Sequence, residues 1–224
     1  MLLAGFALAC GSITGDLNEV IAIDVTLPDS GRMELGDTLV PHARALDGRG
    51  DSVAATVYWD DLDTLLQIVD SSTGALVGRT VGTGLIQARV GNLRSNPQAV
   101  TVLFRADTAF ADSTPAPDSV SLAAKPDSLS DSLRVRLETF TDSTSANLSG
   151  RLVTFQLLYP TDSTSFALTP GDSVFTDVSG LAVVQVRLRA RALPDSAVVQ
   201  ATARRVTGAT VHGAPITFVV KFTP

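Results

Sequence analysis

The sequence predicts an all-β protein built from antiparallel sandwiches, and three observations carry that prediction. Apolar side chains recur at every second position in one segment after another, the period of a half-buried strand. Clusters of Asp, Ser, Gly and Pro separate these segments at intervals of roughly 8–12 residues. No stretch of a dozen residues shows 3.6 periodicity, and the chain holds only two lysines and three glutamates against fifteen arginines and twenty aspartates. Helices favour Glu and Lys, whereas Asp belongs to turns and caps.

Taken in order, Ile21, Ile23, Val25 and Leu27 share one side of a first strand, and Pro28-Asp29-Ser30-Gly31 turns the chain. Leu39, Ala43 and Ala45 lie on one side of a second strand, with His42 and Arg44 opposite. A third, over 53–59, places Val57 and Trp59 inward; a fourth covers 65–69. Ile86, Ala88 and Val90 align in a fifth, and 99–104 closes the set. Residues 106–117 show no alternation and end Pro115-Ala116-Pro117, which reads as a semi-rigid spacer. A second series follows. Leu133, Val135 and Leu137 oppose Arg134, Arg136 and Glu138; Val153, Phe155 and Leu157 form another face, and Ala182 to Ala190 a long one. Strands over 198–203 and 216–222 end the chain. Asp-Ser pairs, as at Asp29-Ser30, Asp127-Ser128 and Asp172-Ser173, mark the turns, because both side chains fold back on the backbone.

Two family resemblances rest on these residues. Gly36-Asp37-Thr38, Trp59 on a middle strand, Val69-Asp70 with Gly74 following, and Gly82-Thr83-Gly84-Leu85-Ile86-Gln87-Ala88 together resemble the group 2 bacterial immunoglobulin-like domain over about 18–105. Gly150 to Phe155, Thr176-Asp177-Val178-Ser179-Gly180-Leu181-Ala182 and Val199-Gln200-Ala201 are similar, more loosely, to the group 1 domain of invasin and intimin surface proteins, over about 118–224. The resemblance implies two tandem immunoglobulin-like antiparallel β-sandwiches, Trp59 filling the space between sheets. Gly180 is expected at positive φ, in a tight turn that launches a strand.

The chain opens on an apolar run, Met1 to Cys10, too short for a hydrocarbon core roughly 30 Å thick but suited to a secretory signal. Leu8-Ala9-Cys10-Gly11 resembles a bacterial lipobox, with Ala7 where that family prefers Leu and no basic residue ahead of the run. The resemblance implies acylation of Cys10 and a lipid anchor in the cell envelope. Gly11, rather than Asp, after the cysteine favours the outer membrane over the inner.

Composition narrows the function classes. A net charge of −6 argues against nucleic acid as a partner, and one cysteine with two histidines leaves little for a metal cluster. No Gly-x-Ser-x-Gly elbow or phosphate-cradling glycine loop appears, so no catalytic residue, cofactor or metal is expected. Asp60, Asp61 and Asp63 lack the glycine and final acid of a calcium loop and read as a solvated connection. Arg49-Gly50-Asp51 reads as turn chemistry. The candidate binding residues are Arg187, Arg189 and Arg191, alternating on one strand face, beside Arg134 and Arg136 if those strands pair. They would form a patch for anionic polysaccharide or lipid head groups, or simply the solvated side of a strand. The expected function is a non-enzymatic structural or adhesive module of the envelope, with a surface polysaccharide or protein as its ligand. The alternative is a carbohydrate-binding accessory to an extracellular enzyme, which an exposed aromatic platform would favour; aromatics make up only 5% of the chain.

Overall fold

A computed structural model describes residues 17–112, 120–123, 127–141, 144–161, 165–189 and 196–223. Among them there is no α-helix, only a 3-10 turn at Pro28–Gly31 in which Asp29 and Ser30 take φ of 50° and 55°. Short polar side chains tolerate that left-handed region, so the Asp-Ser turn chemistry is visible in the backbone. The chain divides into two units. The first takes residues up to Gly31 and Thr38–Thr101; the second takes Arg32–Asp37 and the chain from Val102 onward.

The strands up to the division are β1 (Ala22–Thr26), β2 (Arg32–Glu34), β3 (Thr38–Leu39), β4 (His42–Leu46), β5 (Ser52–Val53), β6 (Tyr58–Asp61), β7 (Leu66–Asp70), β8 (Ala75–Gly78), β9 (Gly82–Val90), β10 (Leu93–Arg94) and β11 (Gln98–Leu103). Of these, β2 and the last two residues of β11 belong to the second unit. In the first unit β1 pairs with β4, β3 with β8, and β8 with β7, while β9 sits between β6 and the run β10–β11. The expected strand over 39–45 is broken. Pro41 has no N–H for a ladder, so the chain before it pairs with β8 (Leu39↔Leu76) and the chain after it with β1 (Ala43↔Val25). Leu39 and Ala45 still point inward, with Leu66, Leu76, Ile86, Ala88 and Val100. The expected strand over 53–59 is also split, into β5 and β6, and Ile21 lies just ahead of β1, 57% exposed.

Beyond the division lie β12 (Thr108–Ala111), β13 (Val120–Ala123), β14 (Leu133–Thr141), β15 (Thr144–Asn147), β16 (Leu152–Tyr159), β17 (Phe166–Thr169), β18 (Ser173–Phe175), β19 (Leu181–Leu188), β20 (Ser196–Ala203) and β21 (Ile216–Thr223). One sheet runs β12-β14-β19-β17 with β15 on β14, the other β13-β21-β20-β16-β18. Counting principal strands one to seven as β12, β14, β16, β17, β19, β20 and β21, the first sheet reads one–two–five–four and the second seven–six–three. This is immunoglobulin strand order. The first unit follows it too, with β3 and β4 together as strand two. Both units are immunoglobulin-like sandwiches, mostly antiparallel; β13 lies parallel to β21, and β2 runs beside β11 in the same direction, Gly31 against Ala99 and the Leu35 N–H on the Leu103 carbonyl.

The core of the second unit follows the alternation closely. Leu133, Val135 and Leu137 on β14 and Ala182, Val184, Val186 and Leu188 on β19 face Val153 and Phe155 on β16 and Ala197, Val199, Ala201 and Ala203 on β20, all buried. Part of the expected spacer 106–117 is sheet instead. β12 pairs with β14 (Ala109↔Leu137) because Ala109 alternates into this core while Phe110 turns outward. Residues 113–117 of that stretch lie outside the described ones.

The glycines of the two family motifs have mechanical reasons. Gly180 takes φ +73°, as expected, and a Cβ there would meet the Leu137 carbonyl oxygen at 2.7 Å. Gly74 takes φ +77°, and a Cβ would meet the Trp59 indole nitrogen at 2.6 Å. Trp59 is 3% exposed and opposes Ala88. The aspartate ahead of Gly74 shapes the same turn: Asp70 Oδ1 accepts from the Ser72 N–H at 2.9 Å and the Ser72 hydroxyl at 2.7 Å. Gly74→Ala therefore combines left-handed strain with overpacking and should cost about 3 kcal/mol. Gly36→Ala, at φ +79° with open space around it, should cost about 1 kcal/mol. Urea unfolding of each variant, with Trp59 fluorescence reporting the first unit and backbone dichroism the whole chain, checks the difference.

Candidate functional site

The register keeps Arg134 and Arg136 away from the arginines singled out at the end of β19. Arg187 and Arg189 are exposed; Arg191 lies outside the described residues. Strands β14 and β19 do pair, but the register sets Arg134 opposite Val183 and Arg136 opposite Leu181. Arg134 is thus four positions, about 13 Å, along the strand from Arg187. Arg136 is already engaged: its Nη2 donates to Asp112 Oδ2 at 2.9 Å and its Nη1 to Asn147 Oδ1 at 3.0 Å. Arg187 instead opposes Ala167 on β17. Arg189 borders an open cleft of about 470 Å³, where Leu157, Phe166 and Leu168 supply apolar walls and Asp172 the opposite charge. Cys10 also lies outside the described residues.

The acidic residues after Trp59 serve the fold. Asp60 Oδ2 accepts from Arg89 Nε at 3.1 Å, Asp61 accepts from the Ile68 N–H, and Asp63 accepts from the N–H groups of Leu65 and Leu85. Elsewhere the pattern repeats. In the Arg49-Gly50-Asp51 loop, Asp47 Oδ1 accepts from the N–H groups of Arg49 and Asp51, both at 2.9 Å. Asp177 does the same for Ser179 and Leu181. Asp60 pairs with an arginine side chain, while Asp47, Asp61, Asp63 and Asp177 satisfy backbone donors. Among the described residues no three His, Cys, Asp or Glu side chains are grouped to hold a metal, and His42 and His212 are both exposed.

These hydrogen bonds favour the charged carboxylate. The bonds from Ser72, and then from Thr73, hold Asp70 down at about 2, below the usual carboxylate range, and the Arg49 N–H lowers Asp47 in the same way.

Sequence reasoning missed a charge cluster buried in the second unit. Glu34, on β2, has no exposed surface. Its Oε1 accepts from Arg151 Nη2 at 2.5 Å and its Oε2 from Arg205 Nε at 2.6 Å. Arg151 Nη2 also donates to the Phe104 carbonyl at 2.6 Å, and Arg205 Nη2 to Asp37 Oδ1 at 2.7 Å. Burial lowers the pKa of Arg151, and Glu34 works against that shift; for Arg205 burial also opposes the charge, but Glu34 and Asp37 outweigh it. The second oxygen of Asp37 is buried without a hydrogen-bond partner among the described residues. The only trace in sequence is the choice of Glu, one of three, in a chain with twenty aspartates. The extra methylene lets one carboxylate reach two guanidinium groups.

A second arrangement, on the outer face of the first unit, was also not foreseen. Tyr58 opposes Arg89, Asp60 opposes Gln87, and Arg94 opposes Arg89 from the other side of β9. Because Trp59 and Ala88 point inward, these five side chains stand outward together. Tyr58 is 39% exposed, and the Arg89 guanidinium lies 5.1 Å from the centre of its ring.

The sequence matches no protein-family model and no curated protein. Among solved structures the chain is similar to the adhesin InvE of Yersinia pseudotuberculosis, at 16% identity and TM-score 0.38, over 89% of this chain and 59% of that one. It is similar to fibronectin(III)-like modules of CbhA from Clostridium thermocellum, at 15% identity and TM-score 0.39, over 89% of this chain and 94% of that one. It is also similar to domains 4 and 5 of the S-layer protein SbsC, at 15% identity and TM-score 0.34, over 92% and 100%. None of these likenesses assigns a role, and the chain spans 59% of the adhesin's length.

Two outcomes are expected. Glu34→Gln leaves two buried arginines short of a counter-charge and should lower stability by about 3–5 kcal/mol. Asp24→Asn, which breaks an exposed pair with Arg44, should cost less than about 1 kcal/mol. Denaturant unfolding followed by backbone dichroism compares them. In acid, a carboxylate depressed in the folded state stabilises fully above its unfolded pKa of about 4 and loses that contribution as pH falls. For Asp70 the loss should run from about pH 4 to about pH 2, and Asp70→Asn should flatten that part of the stability profile read at Trp59.

Proposed function

We propose that this chain is a non-enzymatic structural and adhesive module of the bacterial cell envelope. In this reading it is exported, acylated at Cys10, and held at the membrane while its two immunoglobulin-like bodies stand in the space beyond, with the outer membrane favoured. The observation that carries the reading is the use of acidic side chains throughout the loops. Asp47, Asp63, Asp70 and Asp177 each tie two or more donors of their own turn or its neighbour. Loops fixed in this way hold the ends of each sandwich in one conformation, as a spacer or presenting module requires. The lipid anchor rests on the likeness of Leu8-Ala9-Cys10-Gly11 to a lipobox. Two or more acyl chains, at about 0.8 kcal/mol per buried CH₂, give a firm hold.

Mass spectrometry of the N-terminal peptide from native membranes is expected to show Cys10 as the first residue carrying a diacylglyceryl group. Cys10→Ser should move the protein from the membrane to the soluble fraction. An unmodified Cys10 in the mature membrane-bound protein rejects the anchor.

A further inference from the structure

We propose that the outer face of β6, β9 and β10 is a binding site for a carboxylated polysaccharide, reading a uronic acid through Tyr58, Arg89 and Arg94. The site stands apart from the anchoring at Cys10 and is testable on protein in solution.

The register builds the surface. Tyr58, Arg89 and Arg94 form one row across three strands, and Asp60 and Gln87 form the next. Their side chains are ordered by one another. Asp60 Oδ2 lies between Arg89 Nε at 3.1 Å and Arg94 Nη1 at 3.4 Å. Arg94 Nη1 also donates to Gln87 Oε1 at 3.2 Å, and Gln87 Nε2 donates to the Ser95 carbonyl at 2.7 Å. The network leaves donors in surplus. Among the described residues, neither terminal nitrogen of Arg89, nor Arg94 Nη2, nor the Tyr58 hydroxyl has a hydrogen-bond partner, whereas on the acceptor side Asp60 Oδ2 is shared and only Asp60 Oδ1 stands open. Two guanidinium groups against one carboxylate leave a local charge of about +1 in a chain whose net charge is −6. Screening beyond about 8 Å at physiological salt keeps the remote acids from cancelling it.

These features specify a ligand. Unused guanidinium forks match a planar carboxylate, which accepts two parallel N–H bonds. The Arg89 guanidinium covers one side of the Tyr58 ring at 5.1 Å, and the part that stays exposed is an apolar surface with a polar tip, suited to a pyranose ring, which is itself apolar on its faces and hydroxylated at its rim. Side chains held by one another lose little rotamer freedom when a ligand arrives. A neutral glycan would leave the surplus charge unmatched, and a simple polyanion would make no use of Tyr58. A hexuronate satisfies both.

Affinity electrophoresis of the full chain through gels containing polygalacturonate, neutral dextran or dextran sulfate tests the site. Retardation by polygalacturonate and not by dextran is expected. Tyr58→Ala and Arg94→Met should each weaken it about tenfold or more with the Trp59 unfolding transition retained, and Arg44→Ala, at an exposed arginine on β4, should leave it unchanged. Arg94 is 55% exposed, so its variant keeps the test sound if Tyr58→Ala perturbs the strand. Three outcomes overturn the proposal: no retardation by polygalacturonate, equal retardation by dextran, or retardation by either polyanion that survives both Tyr58→Ala and Arg94→Met.

Discussion

The principal strands of both units must put their alternate side chains against an opposing sheet, and nearly everything else in the structure follows from that demand. In the second unit it fills the space between sheets with Leu, Val, Phe and Ala from β14, β16, β19 and β20. At about 25 cal/mol per Å² of apolar surface removed from water, such layers are the main term holding each sandwich. The outward side chains are then free for other work, and the turns between strands must be short and polar. The carboxylate-bound loops and the Tyr58 face are the two results of that freedom.

The division of labour among charged residues follows burial. On the outside, aspartates close turns and arginines pair loosely, as Arg44 does with Asp24 at 64% and 44% exposure. Inside, the charges are paired with one another. Glu34 has each oxygen on a different arginine, and Arg151 adds a backbone carbonyl. Removing two charges from water costs several kcal/mol each, so this cluster specifies where β2 must lie more than it adds stability.

Much of this was legible in the sequence, because period-2 alternation and turn chemistry are local signals. Leu133 to Leu137 and Ala182 to Leu188 face the core as their spacing requires, Trp59 is buried, and Gly180 has the positive φ its motif implies. The misses are matters of pairing. Pro41 announces a break, but not that its two sides would join different strands. Arg134 and Arg187 lie on paired strands, yet only the register shows them four positions apart. Glu34, Arg151 and Arg205 are separated by 117 and 171 residues, and Tyr58 meets Arg94 only through β9, so no window of sequence contains either group.

The second unit's use of Arg32–Asp37 has a consequence for biogenesis. Ribosomes deliver about 5–20 residues per second, so Glu34 emerges some ten to thirty seconds before Arg205, which lies 171 positions later. During that interval the hexapeptide Arg32–Asp37 has been made but the strands it belongs with have not. The C-terminal body is finished only when a piece of the early chain is captured by the late one, which makes assembly vectorial.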